Sequence, residues 1–547
     1  MASQPKLNKP IDKKAKKTAK AAAPKSAPAK TSGKTSAKAV TKTASAKAPK
    51  RAGHDVGAPQ AFIDSMMRGW KVRGPVRASK LPGLERFQAR RAALSRLFPG
   101  EIVVVPTGTP RVRANDCDYI FRPGSDFFYL TGNQEPGCVL ALIPKKRGKA
   151  HDAILFVEPE VDRSTPAFFL DRARGALWVG PKLGLVGSLT RYGVTATRSI
   201  DELADFLKSL DRKSTRLLRG LDPRCDAALK PAPQDAALAT ALAEMRLIKD
   251  AGEIASLKKA IQSTKHALEA AIQAMGVADN ERHIEAAFDA AARVQGNGSG
   301  FATIAAAGPH ACTLHWTQND GPLKRGDLLL IDAGVEGKDL YSADISRTFP
   351  ICGLFTDEQR CVYDLVTKAQ DAAIKAVAPG ADFLAPHRAA MAVLTKGLIE
   401  LGIIEESLET ALDDEHQTYR RYTLHSTSHL LGLDVHDSAS ARPESYRQGK
   451  LKPGMVLTIE PGLYFQPDDL TVPPRFRGIG IRVEEDVLVT ATGRQVLSAA
   501  IPRKSADIEK WIAELWNPQG LFLGDGSDDD EDDGGDFVEF GEGEEEE

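Results

Sequence analysis

The feature that most constrains the fold of this chain is a set of ionisable side chains that interrupt short apolar segments. Asp332 ends one such segment, and Asp344 follows it twelve positions later inside another. The same setting recurs around His429, Glu460 and Glu484. A carboxylate that ends an apolar strand is costly to bury unless it is paired or binds a cation. These segments are therefore candidate strand ends that meet at one polar site.

Each of these residues also has an ordinary structural interpretation. An aspartate at a strand end usually serves a turn or a cap, a single histidine is usually a satisfied core or surface side chain, and Glu484 can pair with a nearby arginine. A turn containing Gly337, however, would bring Asp332 and Asp344 onto one face. Four carboxylates and one imidazole brought together would repel one another without a cation. Oxygen-rich ligation with one nitrogen suits Mn²⁺ or Co²⁺ better than a structural, thiolate-rich zinc site.

The two ends of the chain have opposite charge, which the net charge of zero conceals. Residues 1–51 contain fourteen lysines and Arg51 against Asp12 alone, whereas residues 525–547 contain fourteen acidic residues and no basic one. Neither end has enough apolar side chains to form a core. We therefore expect residues 1–55 to be a disordered basic tail and residues 516–547 a disordered acidic tail.

The part between the tails is predicted to form two domains, since 547 residues exceed what one core usually serves. The first spans residues 56–240, with a helical stretch at Leu84–Phe98 and runs of strand length at Ile102–Pro106, Phe127–Gly132, Cys138–Pro144 and Ala153–Pro159. The second spans residues 244–515 and begins with helical periodicity over Glu244–Met275. Helices alternating with β-branched and aromatic runs indicate α/β layers.

Compartment is inferred from what the sequence lacks. No apolar run of signal-peptide length follows the basic N-terminus, and no stretch of eighteen apolar residues is present. The six cysteines contain no CxxC pair and are expected to be reduced. We therefore expect a cytoplasmic protein without a membrane partner.

Five segments around the ionisable residues resemble the metal-site motifs of the pita-bread metallopeptidases. They are Asp332–Gly334, Ser342–Pro350, His425–Asp437, Thr458–Tyr464 and Gly478–Asp486. Within that group they resemble aminopeptidase P most closely. The stretch Phe121–Gly132, followed by Glu135 and Pro136, is similar to the N-terminal domain of the same family. The resemblance covers about residues 60–505 and implies an N-terminal α/β domain followed by a pita-bread catalytic domain.

The resemblance implies a centre of two divalent metal ions, with Mn²⁺ expected and Co²⁺ as the alternative. Asp344 and Glu484 would bridge the ions, Asp332 would bind one of them, and His429 with Glu460 would bind the other. Two ions about 3.5–4 Å apart can share a hydroxide and polarise a scissile carbonyl. In this family that hydroxide hydrolyses the bond between an N-terminal residue and a proline in second position.

The resemblance also assigns catalytic roles. Glu460 is the expected proton shuttle, because it can touch both a metal ion and the hydroxide. Histidines that match His315, His425 and His436 line the substrate site of the family, where they bind the carbonyl oxygen or help to protonate the proline nitrogen.

The expected substrate-binding residues are Arg482, Asp126 and Tyr464. Asp126 matches a position that the family places near the N-terminal end of the substrate. The partners implied are peptides with proline in second position and further copies of the chain, as a dimer or tetramer.

Four alternatives remain at this stage. A prolidase would accept Xaa-Pro dipeptides only, a creatinase-like hydrolase would share the fold without the metals, and a non-catalytic pita-bread module would bind peptides without cleaving them. The five intact candidate ligands argue against the last two. The fourth is a nucleic-acid binder that uses the lysine-rich tail. Because that tail contains no aromatic residue and little arginine, specific nucleic-acid binding is not expected.

Overall fold

The computed structural model describes residues 57–71, 74–146 and 150–517. The predicted disorder of residues 1–55, and of the acidic tail from residue 518 onwards, concerns positions outside the described residues. None of the described helices combines the length and hydrophobicity needed to cross a membrane.

The N-terminal part alternates helices with the strands of one sheet. Its elements are α1 (Gln60–Met66), α2 (Leu84–Leu97), β1 (Ile102–Pro106), β2 (Val112–Ala114), β3 (Cys117–Asp118), α3 (Ser125–Thr131), β4 (Val139–Pro144), β5 (His151–Val157), α4 (Ala167–Leu170), α5 (Ala176–Val179), α6 (Gly184–Tyr192), β6 (Ala196–Ser199), α7 (Leu203–Ser209), β7 (Thr215–Leu217), α8 (Pro223–Ala228) and α9 (Gln234–Arg246).

Five of these strands form a mixed sheet in the order β6-β5-β4-β1-β7. The inner pairs β1–β4 and β4–β5 are antiparallel, whereas β7 and β6 pair parallel to β1 and β5 at the two edges. Strand β1 is buried on both faces, since Val103 and Val105 belong to one apolar cluster and Val104 to another. Helices therefore cover both faces, as the continuous apolar runs predict.

One predicted strand is wrong: Phe127–Gly132 lies in helix α3 and its cap. All of Phe127 to Thr131 is buried, and a short apolar run buried on all sides has no periodicity that separates helix from strand. Gly132 ends the helix at φ 69°, which a residue with a side chain rarely adopts. Arg91, on α2, donates to the buried carbonyl of Leu130 at 2.8 Å and thereby caps the helix.

The C-terminal part contains longer helices and several short antiparallel sheets. Its elements are α10 (Ala251–Met275), α11 (Glu281–Gln295), β8 (Gly298–Ser299), β9 (Ile304–Ala307), β10 (Leu328–Ala333), β11 (Val335–Glu336), β12 (Ile345–Pro350), α12 (Asp357–Ala376), α13 (Ala385–Glu400), α14 (Leu408–Leu412), β13 (Val456–Ile459), β14 (Gly462–Tyr464), β15 (Gly480–Arg482), β16 (Glu485–Val489), β17 (Arg494–Val496) and α15 (Ser505–Trp516).

The helix predicted over Glu244–Met275 is broken in the structure. Helix α9 ends at Arg246 and α10 begins at Ala251. The cause is a capping box, in which the Asp250 carboxylate accepts from the Glu253 amide at 2.9 Å and the Glu253 carboxylate accepts from the Asp250 amide at 2.9 Å. Apolar spacing continues across the break, so periodicity alone does not reveal it.

The antiparallel pairs of this part place the candidate ligands at strand ends. In the β10–β12 pair Asp332 lies opposite Ser346, and Asp344 precedes β12 by one residue. Because residues two apart share a face, Asp344 lies on the same face as Ser346 and Asp332. In the β13–β16 pair Ile459 lies opposite Glu485, so Glu460 and Glu484 are the neighbouring residues at one end.

Candidate metal centre and active site

The two strand pairs meet through the residues that flank the ligands. The amide of Glu484 donates to the carbonyl of Ser346 at 3.0 Å, and the Ser346 hydroxyl donates to the Glu484 carboxylate at 2.9 Å. The segment that carries His429 joins them from the other side, since the amide of Thr458 donates to the His429 carbonyl at 2.9 Å. All five predicted ligands therefore face one cleft of about 890 Å³.

Three of these residues converge tightly enough to hold a metal ion. One ligand atom each from Asp344, His429 and Glu484 lies within 4.8 Å of the others. His429 Nε2 is 3.3 Å from Asp344 Oδ2 and 3.6 Å from Glu460 Oε1. Asp332 lies on the side of Arg482, whose Nη2 donates to Asp332 Oδ2 at 2.5 Å.

The protein alone leaves this cluster unsatisfied. Asp332 Oδ1 and Glu484 Oε1 are buried and have no hydrogen-bond partner among the described residues. Burial and the neighbouring carboxylates, among them Asp332 and Glu460, hold the pKa of Asp344 well above its usual value. Burial, followed by Asp344 and Glu460, raises the pKa of Glu484 in the same way. A bound cation would accept the lone pairs of these buried oxygens. It would also offset the repulsion among the carboxylates.

The donor set fits divalent metal ions. Four carboxylates and one imidazole offer oxygen ligands with a single nitrogen, the combination that hard and borderline divalent ions prefer. No described cysteine takes part, because the pocket lining contains none. The observation therefore supports the metal site predicted from the sequence.

A chain of hydrogen bonds surrounds the cluster on one side. Arg482 Nη1 donates to the Tyr464 hydroxyl at 2.8 Å, and that hydroxyl lies 2.8 Å from His425 Nε2. His425 Nδ1 lies 3.0 Å from the Ser426 carbonyl, which can only accept, so Nδ1 carries the imidazole proton and Nε2 can accept from the Tyr464 hydroxyl. His425 Nδ1 lies 3.3 Å from Glu460 Oε2. The chain therefore directs a proton donor at Glu460.

This contact explains the acidity of Glu460. Burial opposes its ionisation, but the hydrogen bond from His425, together with the neighbouring His429 and Arg482, outweighs burial and lowers the pKa of Glu460. Glu460 is thus kept as a carboxylate beside two other carboxylates that burial tends to protonate. A carboxylate of this kind can accept a proton.

The structure brings most, but not all, of the predicted substrate residues to the cleft. His315, His425, His436 and Arg482 line it together with the five ligands. The rings of His436 and His429 make an edge-to-face contact at 4.4 Å. Burial and the neighbouring His429 lower the pKa of His436, which favours the neutral imidazole.

Tyr464 and Asp126 are absent from the described lining of the cleft. Tyr464 lies behind it, fully buried between Arg482 and His425, and burial raises its pKa to about 12. It therefore orients residues that reach the substrate.

Asp126 takes part in a buried ionic network between the two domains. Arg246 Nη1 donates to Asp126 at 2.9 Å, and Arg246 Nη2 donates to Asp434 and Asp437. Lys249 Nζ donates to the second oxygen of Asp437 at 2.7 Å. The network holds the segment that carries His436, so Asp126 is placed to position the site from a distance.

A further residue has no counterpart in the sequence prediction. Glu281, fully buried at the start of α11, accepts four hydrogen bonds, one from the end of β9 and three from the following loop, which carries His315. The donors are the Ala307 amide at 2.7 Å, His310 Nδ1 at 2.8 Å, Trp316 Nε1 at 2.9 Å and the Gly321 amide at 2.7 Å. The sequence offers only an acid in the first turn of a helix, which commonly interacts with the helix dipole alone.

Comparison with known proteins assigns this chain to a family. Residues 255–491 match the model of metallopeptidase family M24, and residues 87–218 match that of the aminopeptidase P N-terminal domain. The Xaa-Pro aminopeptidase 1 of Streptomyces coelicolor is 46% identical over 464 residues, which cover 84% of this chain and 93% of that protein.

Solved structures agree with this assignment. Aminopeptidase P from Escherichia coli with the inhibitor Pro-Leu matches with a TM-score of 0.71 at 30% identity, covering 79% of this chain and 98% of that one. Pseudomonas aeruginosa aminopeptidase PepP matches with a TM-score of 0.70 at 33% identity, covering 80% and 99%. The predicted fold, an N-terminal α/β domain followed by a pita-bread domain, is thereby confirmed. The chain belongs to the aminopeptidase P group of metallopeptidase family M24.

Proposed function

We propose that this chain is a metal-dependent Xaa-Pro aminopeptidase, which removes the first residue of peptides that have proline in second position. The observation that carries the proposal is the intact cluster of Asp332, Asp344, His429, Glu460 and Glu484 in a chain whose relatives bear that activity in their names. A non-catalytic member of the fold has no need to keep four buried carboxylates around one imidazole.

Asp344 and Glu484 would bridge two divalent ions, with Asp332 on one ion and His429 with Glu460 on the other. Bound ions at this position supply Lewis acidity for the scissile carbonyl and lower the pKa of a water molecule. Mn²⁺ is the ion that we propose, because the donor set is rich in carboxylate oxygen.

Side chains of the protein would carry out the proton transfers of the reaction. Glu460, kept ionised by His425, would accept the proton of the attacking water at a carboxylate oxygen and pass it towards the proline nitrogen. His425, held by Tyr464, orients Glu460. His315 and His436 face the same cleft and would hold the carbonyl oxygen of the substrate.

The direct test is mass spectrometry of peptides after incubation with chelated protein and with the same protein reloaded with Mn²⁺. We expect the reloaded protein to remove one residue from Ala-Pro-Ala and from longer Xaa-Pro peptides, and the chelated protein to remove none. Full activity after complete chelation would refute the metal-dependent mechanism. Absence of cleavage with any divalent ion would refute the peptidase.

The length of the substrates that the protein cleaves distinguishes an aminopeptidase from a dipeptidase. An aminopeptidase leaves the side beyond proline open, so kcat/KM for Ala-Pro-Ala is expected to equal or exceed that for Ala-Pro. Turnover of Ala-Pro alone would assign the chain to the prolidases. We propose further that the protein is cytoplasmic and homo-oligomeric, which cell fractionation and light scattering would test.

A further inference from the structure

A second cavity opens beside the catalytic cleft. It has a volume of about 560 Å³, within the usual range of ligand pockets, about 300–1,000 Å³. His425 and Ser426 line both cavities, so one short segment forms the wall between them. The remaining lining comes from Leu384, from α13 and from residues 412–424.

The lining of this second cavity is apolar at its base and cationic at its rim. Met391 and Tyr419 are buried beneath it, and Leu424 is exposed at its edge. Arg388 and Arg420 supply two positive charges, whereas Asp414 supplies the single acid of the described lining. The lining therefore carries a net charge of +1 with its histidines neutral.

The two arginines differ in how far their charge is already compensated. Arg388 pairs with Asp382 at 3.0 Å, although Asp382 is shared with Lys450 at 2.5 Å. Arg420 Nη1 donates to the amide oxygen of Gln417 at 3.0 Å and forms no ion pair with a carboxylate in the described part of the chain. Arg420 is thus the cation that is available to a ligand.

The second cavity is connected to the catalytic strands by hydrogen bonds. His387 Nδ1, in its wall, lies 2.9 Å from the Thr427 hydroxyl, and the Thr427 carbonyl accepts from the Glu460 amide at 2.9 Å. His425 separates the cavity from Glu460, the residue that delivers a proton to the proline nitrogen in the proposed reaction. In the proposed reaction the released peptide begins at the nitrogen that Glu460 protonates, and the cavity adjoins Glu460 on the far side of His425.

We propose that this second cavity binds the substrate residues downstream of proline and prefers a carboxylate there, with Arg420 as the main cation. The proposal rests on the proposed peptidase function and adds a substrate class to it: Xaa-Pro peptides with an acidic side chain, or a C-terminal carboxylate, within a few residues of the proline.

The experiment compares kcat/KM for amidated peptides Ala-Pro-Ala-Xaa-Ala in which Xaa is Asp, Ala or Lys. We expect the Asp peptide to exceed the Lys peptide by about three- to fivefold at low salt, the gain typical of one partly exposed ion pair. The ratio should fall towards one at high salt, since such pairs are screened. Comparison of kcat/KM for Ala-Pro-Ala-Ala with a free and with an amidated C-terminus shows whether the second cavity prefers the terminal carboxylate as it prefers an acidic side chain.

Variants identify the cation that is responsible. Arg420→Gln is expected to bring the Asp-to-Lys ratio close to one, and Arg388→Gln to lower it less, because Asp382 already shares that charge. The matched control is Arg475→Gln, an exposed arginine that lines neither cavity, which should keep the wild-type ratio. The ratio is internal to each variant, so a general change in activity does not affect it.

Equal kcat/KM for the Asp and Lys peptides in the wild type would overturn the proposal, and so would a preference that persists in Arg420→Gln. Either result would leave the proposed peptidase function unaffected. If the wild type cleaves none of these peptides with metal present, the proposed function fails instead.

Discussion

Substitution of Asp344 or Glu484 is expected to remove bound metal, whereas substitution of His436 is expected to lower turnover and leave the metal in place. Asp344→Asn or Glu484→Gln removes a carboxylate that would bridge the two metal ions of the proposed centre, so both bound metal and more than about 99% of kcat/KM should be lost. His436→Ala should keep its metal and lower kcat/KM by about a hundredfold, the usual cost of one donor to a developing oxyanion.

Elemental analysis of each purified variant, together with kcat/KM for Ala-Pro-Ala, measures both effects. If His436→Ala loses its metal as completely as Asp344→Asn, the division of roles between these residues is wrong.

The repulsion among the carboxylates gives a second prediction. Chelation should lower the melting temperature of the wild type, because buried charges then face one another without a cation. Asp344→Asn removes one of those charges, so chelation should change its melting temperature much less. Calorimetry with and without chelator compares the two, and a metal-free Asp344→Asn protein that melts well below the metal-free wild type would contradict this account.

At the residue scale, all five candidate ligands line the cleft as the sequence predicts, whereas two of the expected substrate residues, Asp126 and Tyr464, are absent from its described lining. Asp332 and Glu484 stand out locally, since a carboxylate in an apolar run is conspicuous wherever the run folds. Asp126 does not, because its role depends on Arg246, 120 positions away. The role of Tyr464 likewise depends on the positions of Arg482 and His425, which only the fold determines.

At the scale of elements, the loop between β9 and β10 carries His315 and is held from α11 mainly by the buried carboxylate of Glu281, while Arg282 adds a hydrogen bond to the Gln318 carbonyl at 3.0 Å. A glutamine at this position offers one acceptor oxygen where the carboxylate offers two, so two of the four donors lose their acceptor. We expect Glu281→Gln to lower kcat/KM about tenfold while bound metal is unchanged, because loss of the loop's position acts through His315.

A double-variant cycle with His315→Ala distinguishes positioning from general destabilisation. If Glu281 acts through His315, adding Glu281→Gln to His315→Ala should cost little further kcat/KM. Glu285→Gln, one turn along the same helix and partly exposed, serves as the control and should retain activity. Additive losses in the double variant would show that Glu281 acts elsewhere.

The sequence predicts element boundaries correctly where helical periodicity extends over many residues. It misses them where a cap or complete burial decides the local structure. Helical apolar spacing in the sequence predicts helices over Glu281–Val294, Glu358–Val377 and Pro386–Leu401, and each is present within a few residues of those bounds. Helix α3 was mistaken for a strand because burial on every side removes its polar face. The break before α10 was missed because the apolar spacing continues through the capping box at Asp250.

At the scale of the whole molecule, the charged tails are predicted to be dispensable for catalysis. Residues 1–51 and 525–547 contain few apolar side chains to bury. A chain shortened to residues 57–517 should therefore keep kcat/KM for Ala-Pro-Ala and its melting temperature. Loss of turnover in the shortened chain, with metal present, would show that one tail contributes to the active fold.

The buried ionic network of Arg246, Lys249 and Asp437, which Asp126 of the N-terminal domain also joins, predicts how stability depends on pH. Burial alone would raise the pKa of Asp437, but Arg246 and Lys249 outweigh burial and lower it from 3.8 to about 2. A carboxyl whose pKa is lower in the folded state stabilises the protein above its unfolded pKa. That stabilisation is lost as the pH falls from about 4 towards 2 and amounts to about 2 kcal/mol.

Asp437→Asn removes this contribution and leaves two buried cations short of a partner, so its free energy of unfolding should fall below that of the wild type by at least this amount at pH 7. The deficit should narrow as the pH is lowered from 4 to 2, because the wild type then protonates the same group. Denaturant titrations of the metal-free proteins measure it without interference from metal release. Asp201→Asn, which breaks an exposed pair with Arg174, is the control and should change stability by less than about 1 kcal/mol. A deficit that stays constant across this pH range would mean that the charge of Asp437 does not stabilise the folded protein.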